Sequence, residues 1–486
     1  MKLNPYLRTA VIQNKDPLNL IHSLRQIVSE QGIFTGQAAV AYFSDWRGRY
    51  SGQALAVVLP ADTQQVAAVV SFCANKNIAI VPQGGNTSLC GGSVPLTDMD
   101  GQMQAQIVLN LSRMNKIREV DATNYTLTVE AGCTLENTKL AAEQVHRYFP
   151  LGLTATAKQC EIGGNISTNA GGVNVLRYGT MRDLVLGLEV VLPDGRIWHG
   201  LRSLRKNNTG YDLKHLFIGA EGTLGIITAA VLKLFPRPQT RATAIVAVRD
   251  AATAAHLLAH VRATCGDRLS AFEIISRSCL DLVLKHIPDT HEPFTKQYEW
   301  QVLIDVDDVL NVPLAQPLRE ALALFGDGVL EYSVTAEGDQ IAAWWKLRKN
   351  ISEAQKIHGI SIKHDVSVPV SRVAEFIMQA NAALFEKYPG VHIVIFGHIG
   401  DGNIHYNPSL KNSIKNDEFI AQSGQVNRIV YDIVHSLGGS ISAEHGVGQL
   451  KRGELRHYKS ALEMALMDSI KNTLDPNGLM NPKKVL

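Results

Sequence analysis

The sequence predicts an α+β protein of two or three domains, and three observations carry that expectation. The chain has 486 residues, which is long for one compact core. From Tyr42 to about Pro236, short β-type runs alternate with helical ones. The prolines of Pro236-Arg237-Pro238 then interrupt any regular element, and a new strand–helix–strand pattern begins beyond them.

Residues 1–45 read as an N-terminal helical segment, with helical apolar spacing from Ile21 to Val28. Ala56–Leu59 reads as a strand. Thr63–Val70 reads as a helix with Asp62 at its N-cap, because a carboxylate there accepts an otherwise unpaired amide. Ile78–Pro82 is a short buried strand running into a glycine-rich loop. Further strands are expected at Gln106–Leu111, Thr126–Val129, Leu186–Leu192 and Gly225–Phe235. A first domain therefore spans 46–236. In a second, 237–415, Thr243–Val248 and Ala271–Ile274 read as strands flanking a helix at Asp250–Thr264. Residues 416–486 form a C-terminal segment, helical over about Asp417–Leu437 and ending in a tail punctuated by Pro and Gly, Leu474–Pro482.

Composition excludes several classes. Hydrophobic residues make up 45% and charged residues 19%, as in an ordinary globular protein. A formal charge of +2 offers no field for nucleic acid. The six cysteines are scattered with no CxxC, which suits a reduced, cytoplasmic protein better than a disulfide scaffold. Met1–Gln13 lacks the apolar core of a signal peptide. No run of about 18 apolar residues is present to cross a membrane; a peripheral place at an inner membrane stays open.

The richest chemistry lies in Phe396-Gly397-His398-Ile399-Gly400-Asp401-Gly402-Asn403-Ile404-His405-Tyr406-Asn407. An Asp-Gly pair between apolar runs signals a hairpin with a type I′ turn. With Asp401 and Gly402 in the turn, Ile399 opposes Ile404 and His398 opposes His405, with Cβ atoms roughly 4.5–5.5 Å apart. Asn407 shares their face through the period of two. Downstream, Ser442-Ala443-Glu444-His445-Gly446-Val447-Gly448 adds a carboxylate and a third imidazole. Two His and one Glu suit a divalent metal, leaving a His as base. A packed cross-strand imidazole pair is the alternative.

Three glycine loops precede this region. Pro82-Gln83-Gly84-Gly85-Asn86-Thr87-Ser88-Leu89 follows a strand, and its glycines let backbone amides converge on an anion. Cys160–Gly172 carries two Gly pairs around Asn165, Ser167, Thr168 and Asn169. Gly219–Gly225 precedes a strand. Together they suit a large phosphate-bearing cofactor. None is a GxGxxG opening a helix or a GxxxxGK[ST], which argues against a Rossmann nicotinamide site and a P-loop.

The motifs PQGGNTSL, IGGNISTNAGG, RYG, NNTGYDL, GAEGTLGIIT, GHIGDGNIHYN and AEHGVG, with the pair Asp194-Gly195, span about Phe43 to Leu486. On them the chain resembles the FAD-binding family of vanillyl-alcohol oxidase type, the PCMH fold. Within it the chain resembles the D-2-hydroxyacid dehydrogenases, most closely the branch acting on D-2-hydroxyglutarate. The resemblance implies a PCMH-type FAD-binding domain, a substrate domain built on an antiparallel sheet, and a C-terminal segment completing the active site. It implies that Pro82, Gln83, Gly84, Gly85, Asn86, Thr87 and Ser88 wrap the FAD pyrophosphate. Gly163, Gly164, Asn165, Thr168, Asn169, Gly171 and Gly172 would line the flavin. Glu221, Gly222 and Ile227 would sit near the adenosine, and Asn481 would reach back to the cofactor. No His stands between Val81 and Pro95 to tether flavin, so the FAD is expected to be non-covalent.

Trp344–Ala354 reads as one helix, so Arg348 and Ser352, four apart, would share a face; Lys363 follows in a strand-like run. Read alone, these are a solvated basic face. The resemblance makes Arg348, Ser352 and Lys363 a site for a distal carboxylate, with Ser in place of the family's Thr. It further implies metal-assisted, FAD-dependent oxidation of a D-2-hydroxy acid, D-2-hydroxyglutarate in that branch, to the 2-oxo acid. His398, His405 and Glu444 would hold a divalent ion, zinc or manganese. His445 would act as base and Asn407 would orient the substrate carboxylate, with an exchange of roles between Glu444 and His445 open. The electron acceptor would be an electron-transfer flavoprotein or a quinone, with oxygen also open, and the assembly a homodimer. D-Lactate or glycolate oxidation on the same scaffold, a non-catalytic flavoprotein electron-transfer subunit and a nicotinamide-dependent reductase are the alternatives.

Overall fold

The structure, a computed structural model, describes residues 16–97, 104–153, 156–411 and 413–486; the signal-free reading of Met1–Gln13 lies outside the described residues. The first helix, Pro17–Val28, starts where Asp16 accepts the Leu18 amide at 3.0 Å, and it buries Leu20, Leu24 and Val28 at the spacing of one helical face. It covers a four-stranded sheet ordered Ile33–Phe34, Val57–Val58, Gln106–Asn110, Ala79–Gln83. The helix Thr63–Lys76 packs there too, capped by Asp62 as its sequence requires. The chain's tail returns to this sheet: Ile80 and Leu479 bond at 2.8 Å, and the Asn481 amide donates to Ile80 O at 2.8 Å.

A second, antiparallel sheet runs Ile117–Asp121, Thr126–Glu130, Ile226–Lys233, Val185–Val191, Ile197–Gly200. The two sheets enclose the glycine loops between them and the next domain. This is the architecture expected of the PCMH type.

Beyond the prolines, seven antiparallel strands form one sheet in the order Val329–Thr335, Thr240–Val248, Trp300–Asp308, Leu269–Ser276, Val391–Gly397, Asn403–Leu410, His364–Ser367. Both faces are covered. Ala242, Ala244, Val246 and Val248 meet the helices Ala251–Cys265 and Val373–Lys387, whereas Ile245 and Ala247 meet Trp344 and Trp345. Burial on both faces is why such strands read as unbroken apolar runs.

Three local expectations are corrected. The Asp401-Gly402 hairpin exists, but its turn is not type I′. Residues Ile399–Asp401 form a 3₁₀ turn and only Gly402 takes positive φ, at 84°. The register moves by two: Phe396, not His398, opposes His405. A shift of two preserves the faces, so His398 and His405 still share one, with ring centroids 6.1 Å apart. Next, the helix expected over Trp344–Ala354 is two, Gly338–Lys349 and Ile351–His358, broken at Asn350. Arg348 is therefore buried while Ser352 faces solvent, and the two do not share a face. Finally, the helix about Asp417–Leu437 is divided at Gln422 into Ser413–Ala421 and Ser423–Ser436.

The turn that aims His398 depends on Gly402. A Cβ there would lie 2.1 Å from Val368 O, at a φ that penalises any side chain. Gly402→Ala is expected to destabilise the protein by about 2 kcal/mol, measured by denaturant unfolding; unchanged stability would mean the turn adapts.

Candidate active site

Strand pairing puts a polar cluster on one face of the seven-stranded sheet. Ile275 pairs with Phe396, Phe396 with His405, and His405 with Asp365. By the period of two, Glu273, His398, Asn407 and Lys363 project on that same face. The opposite face carries Ile274, Ile395, Tyr406 and Val366 into the apolar core. Glu444 and His445 arrive on the C-terminal loop, whose amides both donate to Asp365 Oδ2, at 2.9 and 2.8 Å.

His398 Nε2 lies 3.6 Å from Glu444 Oε1, and His405 Nε2 lies 3.8 Å from Glu444 Oε2. One ligand atom from each of the three residues falls within 4.8 Å of the others, the spacing one divalent ion can bridge. Asp365, His405 and His445 form an overlapping second set. Behind the imidazoles stand two buried carboxylates. Glu273 bonds His398 Nδ1 and also accepts Arg348 Nε at 2.7 Å. Asp365 lies 3.5 Å from His445 Nδ1. Each leaves an Nε2 facing the site, the arrangement by which carboxylates orient metal-binding or basic histidines.

The electrostatics divide the three rings. Burial opposes charge on His398, but Glu273 and Glu444 outweigh it and push it up to about 9. Burial lowers His445 and, more strongly, His405, although Asp365 pulls both the other way. Burial likewise works against the charge of Asp365, yet His445 and His405 hold it well below the usual carboxylate range. Burial thus disfavours the charged form of His445, and a carboxylate backs the ring, the arrangement a base requires.

A cavity between the glycine loops opens onto Glu444 and His445. Pro82 to Ser88, Gly163, Gly164, Asn165, Thr168, Gly171, Glu221, Gly222 and Ile227 line it. The cradle fits a phosphate-bearing group. A Cβ on Gly85 would lie 1.8 Å from Gln159 O, so only glycine allows that approach. The amides of Gly85, Asn86, Thr87 and Ser88 find no acceptor among the described residues, leaving them to an anion. Glu161 Oε2 is buried there without a partner, and burial pushes its carboxyl up to about 8.

Three expected cofactor residues do not line the cavity. Asn169 Oδ1 accepts the Arg182 amide, and the Gly172 amide donates to Glu444 Oε1 at 2.9 Å. Asn481 sits behind the wall, donating to Gly92 O and Glu221 O at 2.9 and 2.8 Å. Glu221 lines the cavity, but its carboxylate is occupied by the Val447 and Gly448 amides at 2.7 and 2.8 Å. It joins the third glycine loop to the His445 loop.

Of the three residues expected to bind a distal carboxylate, Ser352 stands apart, exposed to solvent. Lys363 is brought in: its Nζ meets Gln355 Oε1 at 3.3 Å, and the same oxygen accepts Asn407 Nδ2 at 3.0 Å. Asn407 Oδ1 is left buried and unpartnered. Sequence reasoning missed Glu273, Gln355 and Asp365. One signal was present for Glu273: a lone acid inside the apolar run Ala271–Ile275.

Comparison with known proteins agrees with this arrangement. Residues 54–200 match the FAD binding domain family, and residues 237–485 match the C-terminal domain of FAD linked oxidases. A probable mitochondrial D-2-hydroxyglutarate dehydrogenase of Oryza sativa subsp. indica is 37% identical over 486 residues, covering 98% of this chain and 82% of the relative. A D-2-hydroxyglutarate dehydrogenase of Xanthomonas citri pv. viticola is 36% identical, covering 96% of both. A D-2-hydroxyglutarate–pyruvate transhydrogenase of Saccharomyces cerevisiae is 34% identical, covering 100% of this chain and 97% of the relative. Among solved structures, p-cresol methylhydroxylase superposes with a TM-score of 0.74 at 17% identity, covering 96% of both chains. Two sheets flanking glycine loops, a cradle lined by those loops and a histidine–carboxylate cluster at its end thus meet a match across nearly the whole chain: this protein belongs to the FAD-linked oxidases, in the group that includes the D-2-hydroxyglutarate dehydrogenases.

Proposed function

We propose that this enzyme oxidises a D-2-hydroxy acid, D-2-hydroxyglutarate above all, to its 2-oxo acid, 2-oxoglutarate, with His445 as base. The single observation that carries the reading is an imidazole, backed by Asp365, at the junction of the FAD cradle and the His398–His405–Glu444 cluster. FAD, held without a covalent bond, supplies the hydride acceptor. A divalent ion, zinc or manganese, held by His398, His405 and Glu444, supplies Lewis acidity toward the substrate's hydroxyl and carboxylate. His445 Nε2 takes the hydroxyl proton, and Asp365 stabilises the imidazolium that results. Asn407 orients the reacting carboxylate, itself held by Gln355. Lys363 and Arg348 attract the distal carboxylate, Lys as a point charge and Arg through the edge that Glu273 leaves free.

The domains 46–236 and 237–415 divide the cofactor from the substrate side in this reading, with 416–486 contributing Glu444 and His445. Electrons leave to an electron-transfer flavoprotein or a quinone; the transhydrogenase relative adds a 2-oxo acid as an acceptor to test. No described helix is long and apolar enough to cross a membrane. All six cysteines are free, in keeping with a cytoplasmic placement; several relatives are named mitochondrial. The homodimer is carried from the family resemblance.

One observation favours D-lactate or glycolate as the alternative substrate. Arg348 is already paired with Glu273 and Ser352 faces solvent, which leaves Lys363 as the cation without a carboxylate partner.

Anaerobic addition of D-2-hydroxyglutarate should bleach the bound flavin, and a chelator should abolish bleaching. His398→Ala should lose turnover by about 10³-fold or more while retaining flavin; full activity in chelator would end the metal assignment. Lys363→Ala should cost about 10-fold or more in kcat/KM for D-2-hydroxyglutarate but little for D-lactate, whereas Arg348→Ala, which also deprives Glu273 of a partner, should cost both substrates and D-2-hydroxyglutarate more. Equal losses on both substrates would refute a distal-carboxylate role.

Burial, with Arg49 and Arg47 nearby, pushes Lys363 down to about 8. Its charge is present below that value and lost above it. KM for the dicarboxylate should therefore rise as pH rises through about 8, and Lys363→Arg should remove that inflection; a KM flat with pH in the parent enzyme would show that Lys363 does not hold substrate.

A further inference from the structure

Residues 201–213 join the strand Ile197–Gly200 to the short helix Lys214–Phe217 with no helix or strand of their own, and Arg202 to Leu213 are all exposed. Connections of this length within compact domains are uncommon and usually functional. The segment walls a cleft of about 1060 Å³. Six cations line it (Arg182, Arg202, Arg205, Lys206, Lys214 and Lys233) against two carboxylates, Asp183 and Asp212. With histidines neutral the lining carries +4, in a chain whose formal charge is +2, so the rest of the molecule is net −2.

Both carboxylates are already occupied. Asp183 accepts the Thr180 amide at 2.9 Å in a capping box, and Asp212 pairs with Lys214. Among the described residues, no carboxylate forms an ion pair with Arg182, Arg202, Arg205, Lys206 or Lys233. Burial, reinforced by Arg205 and Lys214, holds the Lys233 ammonium below its usual range against the pull of Asp183. The field of the cleft is thus uncompensated by the chain itself.

The cleft backs directly onto the cofactor loops. The Arg182 amide donates to Asn169 Oδ1 at 2.9 Å and its guanidinium to Ile218 O at 2.6 Å. A Cβ on Gly219 would lie 3.4 Å from both Arg182 Nη2 and the Asn169 Cβ, so a single layer of residues separates the cations from the glycine loops. Leu204, Leu213 and Tyr211 add apolar surface, Tyr211 at 94% exposure. Arg and Tyr beside uncompensated charge suit a macromolecular contact better than a small ion. An oxidoreductase of this family must also hand its electrons onward. The six cysteines are free, and among them only Cys265 is not buried.

We propose that this basic cleft is the docking surface for the acidic face of a redox protein that collects electrons from the flavin. The proposal rests on the oxidoreductase reading above, and it names the partner by charge: a positive patch steers a negative one and speeds encounter. The test uses two probes of opposite charge and the same haem, native cytochrome c, which is basic, and its succinylated form, which is acidic. The holoenzyme's flavin is reduced anaerobically by illumination with a sacrificial tertiary amine, which is oxidised as it supplies the two electrons, and with no hydroxy acid present. Each reduced flavin gives up two electrons, one to each of two haem irons, and its protons pass to water.

At low ionic strength the succinylated form should bind measurably by calorimetry and reoxidise the flavin on the order of 10-fold faster than the native form. Both advantages should vanish near 1 M salt, where charges are screened within about 3 Å. The double variant Arg205→Glu, Lys206→Glu should lose the preference in binding and rate, with anaerobic bleaching by substrate unchanged. Equal behaviour of the two cytochromes, or a preference that survives in the double variant, would overturn the proposal. So would tight binding of tripolyphosphate with no binding of either cytochrome, which would assign the cleft to a small polyanion. Light reduction keeps this test independent of the substrate assignment, so the two readings fail separately.

Discussion

The active site hangs on the burial of one carboxylate, Asp365. It is 1% exposed, and its two oxygens receive the Glu444 and His445 amides and the Asn403 side chain. A buried charge is tolerable only when paired and hydrogen-bonded, and here the partners come from two separate parts of the chain, the strand Asn403–Leu410 and the C-terminal loop. The same ion fixes the C-terminal loop against the sheet and faces two imidazoles. Removing it would free the loop that carries Glu444 and leave His445 without the group that orients it.

At that anchor, three carboxylates, Glu273, Glu444 and Asp365, share three histidines unequally. Glu273 and Glu444 make His398 the most basic of the rings, whereas burial lowers His405 and His445. The sheet face and the C-terminal loop together therefore offer one ring held in its charged form and two rings that burial disfavours from charging. Glu221 extends the linkage to the cofactor side, because its carboxylate binds the loop just after His445. The glycine loops, the sheet and the C-terminal loop are coupled through ions and amides rather than through apolar packing alone.

Much of this is legible in the sequence. Periodicity located most of the strands, Asp62 announced its helix, and the Asp-Gly pair announced its hairpin. The face shared by His398, His405 and Asn407 survived even though the turn type did not, because a register shift of two leaves side-chain direction unchanged. The helix through Arg348 was read too long: helical periodicity carries across Asn350, and nothing local marks the break as strongly as a proline would. Ser352 left the site for that reason. Glu273 and Asp365 were passed over because an acid in a strand shows its importance only once its neighbours across the sheet are known.

By itself, the sequence determined what depends on near neighbours in the chain: which residues alternate on a strand, where glycine permits a close approach, and which imidazoles could share a face. The tertiary structure alone decided the pairings across long separations. Arg348 meets Glu273 75 positions away, and Glu444 meets Gly172 272 positions away. Those contacts follow from the order of strands in a sheet and the return of the tail to the first domain. Neither leaves a local trace, because the energy of a buried ion pair depends on where its partner arrives and not on what lies beside it in sequence.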